Sequence, residues 1–211
     1  MITALEALQR LRDGNRRFAS DSPKRDPADD ARRAKVALSQ DPFAIILGCS
    51  DSRVPAELVF DQGLGDLFVI RVAGNIVAPS QVGSVEYATT AFGTPLVVVL
   101  GHSRCGAILS TLKELRAPAA RQSRNLRAIV DRVRPSVESL FETELARNEP
   151  ALIEAAVRAN IRASANHLRH GSELLEALVE REKLLIVGAE YHLDSGEVEF
   201  FEGVQGIGMG E

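Results

Sequence analysis

Two short apolar runs in this chain end in the same way, with a glycine and then a residue that can bind a metal. Residues 43–47 lead to Cys49, and residues 96–100 lead to His102. Apolar runs separated by helical segments are typical of a parallel sheet built from strand–helix–strand units. In such a sheet, ligands bind where the strands end. The repeat therefore predicts an α/β fold with Cys49 and His102 at the binding edge.

The rest of the chain extends this fold. We predict a central, mostly parallel sheet of four parallel strands plus an antiparallel edge strand, flanked by helices. The predicted strands cover residues 44–48, 67–72, 96–100, 184–189 and 198–201. Helical periodicity predicts helices over residues 84–91, 107–115, 126–133, 151–168 and 172–182, with Gly171 ending the long one.

The N-terminal segment predicts an amphipathic helix. Thr3 and Glu6 can form a capping box at its start. Leu5, Leu8 and Leu11 then recur at a spacing of three, which places them on one face. This apolar stripe requires a surface to pack against.

The chain is predicted to form a single domain. A polar stretch over residues 21–30 is typical of a linker, and a second short helix is predicted over residues 31–39. We therefore divide the domain into an N-terminal helical arm (1–40), an α/β core (41–202) and a tail (203–211).

The composition is that of an ordinary globular protein. The chain has 211 residues, 45% hydrophobic and 26% charged, which is enough to bury a core. A formal net charge of -4 without a long basic run argues against nucleic acid as a partner. Apolar runs stay well below the roughly 18 residues that a membrane span needs, and no secretory signal pattern opens the chain. With only two cysteines, we predict a cytoplasmic protein without a membrane partner.

Both cysteines contribute to a predicted metal site. Cys105 follows His102 by three residues, in a loop that enters a helix, so its thiolate can point back to the same edge. The positive end of the helix favours the ionised sulfur. Two thiolates and an imidazole suit zinc, and a catalytic zinc site typically has three protein ligands and one exchangeable position. The sequence predicts a zinc ion held by Cys49, His102 and Cys105.

A carboxylate and an arginine lie next to the first ligand. Asp51 follows Cys49 by two residues, and Arg53 offers a guanidinium fork for the Asp51 carboxylate. Held by Arg53, the carboxylate leaves the fourth metal position open to water; released, it can bind the metal itself. Asp51 is thus a conditional fourth ligand.

Each of these features also has a simpler explanation. A free cysteine is usually a small buried hydrophobe, and a lone His-x-x-Cys pair is weak evidence for a metal. Asp51 and Arg53 could be a solvated ion pair. His167 and His170 lie three apart on a predicted helix and could bind a metal weakly, but we assign them a structural role. The conjunction of all the candidate ligands at one edge favours the metal site.

Two segments resemble the β-class carbonic anhydrases: Cys-Ser-Asp-Ser-Arg-Val-Pro over 49–55 and Gly-His-Ser-Arg-Cys-Gly over 101–106. Residues 66–71, 73–75 and 83–87 fit the same pattern. The similarity runs from about Leu8 to Phe201.

The resemblance implies an activity and a cofactor. It implies reversible hydration of carbon dioxide to bicarbonate and a proton, through hydroxide bound to one Zn²⁺ per subunit. Asp51 and Arg53 would be the catalytic dyad, with Asp51 orienting the hydroxide.

The resemblance also implies substrate-binding residues and an assembly. Phe68 and Tyr87 match pocket-lining positions, and the backbone N–H of Gly106 is a candidate donor to the developing bicarbonate oxygen. Gln40 matches a glutamine that reaches the substrate across a subunit interface. The resemblance implies a homodimer or homotetramer in which the N-terminal helix, with its apolar stripe, lies on a partner. For Phe68 and Tyr87 the alternative is core packing, and for Gln40 it is a surface amide at a helix end.

Two other functions remain compatible with the sequence. One is a hydrolase of carbon disulfide or carbonyl sulfide on the same scaffold, because the same hydroxide could attack either carbon. The other is a non-catalytic zinc-binding protein whose site is closed by Asp51. The arginine beside Asp51 weighs against the second, because a structural site has no need of it.

Overall fold

The fold is built on a five-stranded sheet, seen in a computed structural model that describes residues 2–24, 30–117 and 123–204. The strand order is β2-β1-β3-β4-β5, and β5 alone is antiparallel to its neighbour. The strands are β1 (Ala44–Gly48), β2 (Leu67–Arg71), β3 (Leu96–His102), β4 (Leu185–Tyr191) and β5 (Val198–Glu202). The predicted four parallel strands with an antiparallel edge are therefore confirmed.

Helices connect the strands and cover both faces of the sheet. Those of the described residues are α1 (Ala4–Ala19), α2 (Asp30–Ala37), α3 (Ala56–Val59), α4 (Pro79–Phe92), α5 (Gly106–Arg116), α6 (Arg124–Val137), α7 (Glu149–His170) and α8 (Glu173–Glu180). Short 3₁₀ turns cover Ala73–Asn75, Glu138–Glu142 and Glu144–Arg147. No helix in this described part of the chain has both the length and the apolar character needed to cross a bilayer.

The predicted helices are all present, but some ends differ. The prediction placed the start of α4 at residue 84, whereas the helix begins at Pro79, a residue whose fixed φ suits the first turn of a helix. Gly171 ends α7 as predicted, and its N–H donates to the carbonyl of His167 at 2.8 Å. Strands β3 and β4 run two residues beyond their predicted ends, because pairing continues to His102 and Tyr191.

The parallel strands are apolar on both faces because both faces are covered. Ile45 and Leu47 point to the layer that contains α5, α6 and α7, whereas Ile46 points to the layer that contains α1. All residues of β1 and β3 are buried. The ends of these two strands are therefore enclosed by the core.

Helix α1 packs on its own sheet, contrary to one sequence-based expectation. The capping box forms as predicted: Glu6 N–H donates to the Thr3 hydroxyl, and the Glu6 carboxylate accepts from the Thr3 N–H. However, Leu8 and Leu11 are buried within the same chain, and only Leu5, at 52% exposure, remains accessible. The expectation that the whole stripe lies on a partner is wrong for Leu8 and Leu11, because they cover the apolar sheet face beside Ile46.

The predicted subdivision of the domain is only partly visible. Residues 25–29 of the predicted linker and residues 205–211 of the predicted tail lie outside the described residues. The second helix of the predicted arm is present as α2, close to its predicted bounds. The division into arm, core and tail stays a prediction.

The close approach of α1 to the core can be tested by measuring stability. A Cβ on Gly14 would overlap the carbonyl oxygen of Phe60, whereas a Cβ on Gly83, an exposed helical glycine of α4, would meet open space. We expect Gly14→Ala to lower the free energy of unfolding by about 1–3 kcal/mol through overpacking. The control Gly83→Ala should raise the same quantity by up to about 1 kcal/mol, because alanine favours helix. Urea titration measures both, and a neutral Gly14→Ala would contradict the packing of α1.

Candidate active site

The structure brings Cys49, His102 and Cys105 to one point at the edge of the sheet. Cys49 follows β1, His102 ends the neighbouring strand β3, and Cys105 precedes the first turn of α5. One ligand atom from each lies within 4.8 Å of the other two, and all three residues are buried. The two sulfurs are 4.0 Å apart and both cysteines are free. The convergence expected from the repeated strand endings is therefore present.

A local backbone reversal carries Cys105 back toward the other two ligands. Arg104 adopts a left-handed conformation with φ of 56°, which a residue with a side chain rarely adopts. Its guanidinium donates to the carboxylate of Asp194 at 2.7 Å, and the neighbouring Ser103 N–H donates to the carbonyl of Tyr191 at 3.0 Å. These bonds anchor the loop that joins His102 to Cys105.

The two sulfurs are close enough to form a hydrogen bond with each other. The contact with Cys105 lowers the pKa of Cys49, against the opposing effect of burial, with further help from the N–H of Gly74. The same bond, together with burial, raises the pKa of Cys105. The surroundings therefore favour ionisation of one sulfur despite its burial, and a cation placed beside both sulfurs would favour loss of the second proton.

His102 presents a free ring nitrogen to this cluster. Its Nδ1 lies 2.9 Å from the carbonyl oxygen of Ser103, which assigns the proton to Nδ1. Its Nε2 is buried and has no hydrogen-bond partner among the residues that the structure describes. A carbonyl partner on one nitrogen and an unused lone pair on the other is the usual arrangement of a metal-binding histidine. The residues present therefore fit zinc, and no other cluster of this kind is found among the described residues.

Arg53 clamps the carboxylate of Asp51 beside the cluster. The Arg53 side chain donates from Nε to Oδ1 at 2.9 Å and from a terminal nitrogen to Oδ2 at 2.8 Å, and its backbone N–H donates to Oδ1 at 3.0 Å. These bonds hold the pKa of Asp51 well below its usual range, although burial acts the other way. Oδ2 of Asp51 lies 3.8 Å from Nε2 of His102. The role of Asp51 as a conditional fourth ligand stays a prediction.

Two further residues, whose contacts here were not foreseen, hold the segment that carries Cys49 and Asp51. Arg71, at the end of β2, donates to the carbonyl of Cys49 at 3.0 Å and to that of Asp51 at 2.5 Å. The N–H of Gly74 donates to the sulfur of Cys49 at 3.3 Å. Arg71 and Gly74 both lie in segments that fit the family pattern, and this fit is the only feature of the sequence that points to them. Nothing in the sequence reveals what they contact.

The four predicted substrate-binding residues are not gathered on one element. Phe68 on β2 and Tyr87 on α4 pack together, with ring centroids 6.2 Å apart, and Phe92 joins them at 6.1 Å from Phe68 and 5.6 Å from Tyr87. Gln40 is exposed just before β1, and Gly106 is the exposed first residue of α5. The rings lie at the outer strand β2, whereas the metal ligands lie at β1 and β3. Their roles in binding substrate stay predictions.

Comparison with known proteins identifies the family. A family model described as "Carbonic anhydrase" matches residues 44–198, which include all three clustered residues and Asp51. The chain belongs to the carbonic anhydrase family. The family predicted from the two motifs is confirmed.

Individual relatives agree across nearly the whole chain. A carbonic anhydrase of Mycolicibacterium smegmatis is 38% identical over 202 residues, covering 96% of this chain and 95% of the relative. The solved structure of the β-carbonic anhydrase CcaA is 29% identical, with a TM-score of 0.73, and covers 95% of this chain and 86% of that one. A tetrameric β-carbonic anhydrase of Sordaria macrospora shares the fold at 22% identity, with a TM-score of 0.72 and coverage of 93% and 97%.

The cluster predicts which side chains retain a metal. We expect the purified protein to hold about one zinc per chain, and His102→Ala and Cys105→Ala to lose it on dialysis, because a site with two remaining protein ligands is weak. His170→Ala is the matched control, since His170 is exposed on α7 and bonds to Glu176 at 2.9 Å. Elemental analysis measures the zinc content. Full zinc retention in His102→Ala would contradict the assignment.

Proposed function

We propose that this protein is a zinc-dependent carbonic anhydrase that converts carbon dioxide and water reversibly to bicarbonate and a proton. The observation that carries the proposal is the carboxylate of Asp51, held at both oxygens by Arg53, beside three buried metal-ligand candidates within 4.8 Å of one another. Zinc, when bound, lowers the pKa of a coordinated water to about 7 and so supplies hydroxide at neutral pH.

Asp51 orients the nucleophile. An ionised carboxylate only accepts hydrogen bonds, so the proton of the nucleophile points to Asp51 and a lone pair is left to face carbon dioxide. Arg53 contributes indirectly, because its two side-chain bonds and its backbone N–H fix both carboxylate oxygens. Arg71, which bonds to the carbonyls on either side of this segment, keeps it in register with the ligands.

Gly106 supplies a second polar contact. As the first residue of α5, directly after Cys105, it offers a backbone N–H at the positive end of the helix. That N–H donates to the oxygen on which negative charge develops as bicarbonate forms. The substrate itself is small and apolar, so few polar contacts are needed.

The protein assembles as a homodimer or homotetramer with a shared active site. Tyr87 is 56% exposed although it belongs to an aromatic cluster, and it lies beside β2, whose outer edge has no partner strand within the described residues. An exposed aromatic group beside an open sheet edge is typical of an interface. Phe68 lies on this edge strand, and Gln40, which precedes the neighbouring strand β1, would reach into a partner's site. The tetrameric enzyme of Sordaria macrospora is a precedent for such assembly.

A cytoplasmic location is also part of the proposal. Both cysteines of the chain are free and serve the metal cluster rather than a disulfide. Thiols are kept reduced in the cytoplasm.

A stopped-flow assay of carbon dioxide hydration tests the activity. We expect the zinc-loaded protein to be active, and Asp51→Ala to retain zinc while losing at least about 100-fold in turnover, because the nucleophile loses its orientation. Asp13→Ala is the matched control: Asp13 also pairs with an arginine, Arg16, but on the surface of α1. Zinc-loaded protein without activity would refute the proposal, and hydrolysis of carbon disulfide in its place would favour that alternative substrate.

Light scattering tests the assembly. We expect the mass of a dimer or tetramer at micromolar concentration, and Tyr87→Asp to shift the distribution toward monomer by placing a charge in the interface. Leu126→Asp is the control, since Leu126 is similarly exposed, at 59%, but lies on α6. A monomeric parent protein would contradict the shared site.

A further inference from the structure

A buried chain of contacts links the long helix α7 to the metal-binding sulfur of Cys49. Nδ2 of Asn160 on α7 donates to the carbonyl oxygen of Gly74 at 2.8 Å. The N–H of the same Gly74 donates to Sγ of Cys49 at 3.3 Å. Asn160 is 2% exposed, and Gly74 is also buried. One side chain from a distant part of the chain therefore anchors the residue that contacts the sulfur.

The turn that Asn160 anchors has an uncommon backbone conformation. Gly74 has φ of 72° and the next residue, Asn75, has φ of 43°, so two successive residues are left-handed. Glycine and asparagine are the residues that tolerate this conformation best, and two such residues in succession persist where surrounding structure enforces them. A Cβ on Gly74 would lie 2.9 Å from the Cβ of Ala107 on α5, so the turn is also pressed against that helix. The Asn160 contact holds the carbonyl of Gly74, while the N–H of the same residue faces the sulfur of Cys49.

Asn160 itself occupies a core position that an apolar side chain would ordinarily fill. Its neighbours on the inner face of α7 are Val157 and Ile161, which belong to the hydrophobic core. Burying an amide is unfavourable unless it is hydrogen-bonded, and the partner that Asn160 finds is the Gly74 carbonyl. The position of this amide is thus matched to the turn beside the sulfur.

We propose that Asn160 is a positioning residue of the metal centre, which keeps the Gly74 N–H on the Cys49 thiolate. A hydrogen bond to a thiolate withdraws charge from the sulfur, so the sulfur donates less charge to a bound metal and the metal remains the stronger Lewis acid. Asn160 does not touch the metal, the substrate or the reacting atoms. The inference rests on the metal centre of the proposed function and deepens it.

Cobalt substitution tests this role without relying on activity. The probe is Co²⁺ loaded in place of zinc, whose charge-transfer absorption from thiolate reports how readily the sulfur gives up charge. We expect Asn160→Ala to shift this band to longer wavelength, because the sulfur loses its hydrogen bond and becomes a better donor. We also expect release of the metal to a chelator, or turnover with zinc, to change by about 10- to 100-fold.

A control on the same helix separates this role from general packing. Ser164, four residues further along α7, is also a buried polar residue, at 5% exposure. Ser164→Ala should leave the cobalt band and the chelation rate as in the parent. An unchanged band in Asn160→Ala, or the same shift in Ser164→Ala, would overturn the proposal.

A second variant keeps the test decisive if Asn160→Ala fails to fold. Asn160→Asp keeps the volume of the side chain but replaces the donor Nδ2 with an oxygen, and it should shift the band in the same direction. If neither variant folds, Asn160 is a structural residue and the proposal is wrong.

A parent protein that shows the thiolate-to-cobalt band but does not hydrate carbon dioxide would refute the proposed function alone, and a parent without that band would refute both.

Discussion

The parallel pairing of β1 with β3 is the interaction on which the site depends. Gly48 lies opposite Leu100 in this ladder, so Cys49 and His102 leave the sheet at the same edge although they are far apart in sequence. Both strands are buried along their whole length, which holds this register: a slip by one residue would turn each apolar side chain to the opposite face and move the ligands apart. The hydrophobic core thus acts on the chemistry through the alignment of two strand ends.

The backbone around the metal cluster departs from relaxed geometry where the ligands need it. Arg104, Gly74 and Asn75 all have positive φ. Arg104 precedes Cys105 in sequence, Gly74 donates a hydrogen bond to Cys49, and Asn75 follows Gly74 in the same turn. Such conformations persist only when neighbouring structure enforces them, and they concentrate at functional sites. Here the enforcing contacts come from β4 for the loop after His102 and from α7 for the turn at Gly74. The regular elements therefore supply the stability that the irregular site lacks.

The sequence predicted those features that depend on short patterns of neighbouring residues. Each strand is a short apolar run, and the ligands follow two of them directly, so both the fold class and the cluster were accessible from pattern alone. The surface that α1 covers could not be predicted from the pattern. The stripe of Leu8 and Leu11 indicates that one face of the helix is buried, but not which surface it packs against. The contact between Asn160 and Gly74 joins residues 86 positions apart, and a single asparagine within a helical pattern gives no sign of its partner. Tertiary contacts of this kind follow from the packing of α7 on the sheet.

The clamp on Asp51 bears on whether this centre is open or closed. Both carboxylate oxygens accept from the Arg53 side chain, and Oδ1 accepts from its backbone N–H as well. For Asp51 to take the fourth metal position, the oxygen that binds must give up its bond to Arg53, while the backbone bond favours the present rotamer. Arg53 is itself mostly exposed, so water can replace the lost contact at its guanidinium. The clamp therefore sets a preferred arrangement and is accessible enough to be released, which is what the prediction of Asp51 as a conditional fourth ligand requires.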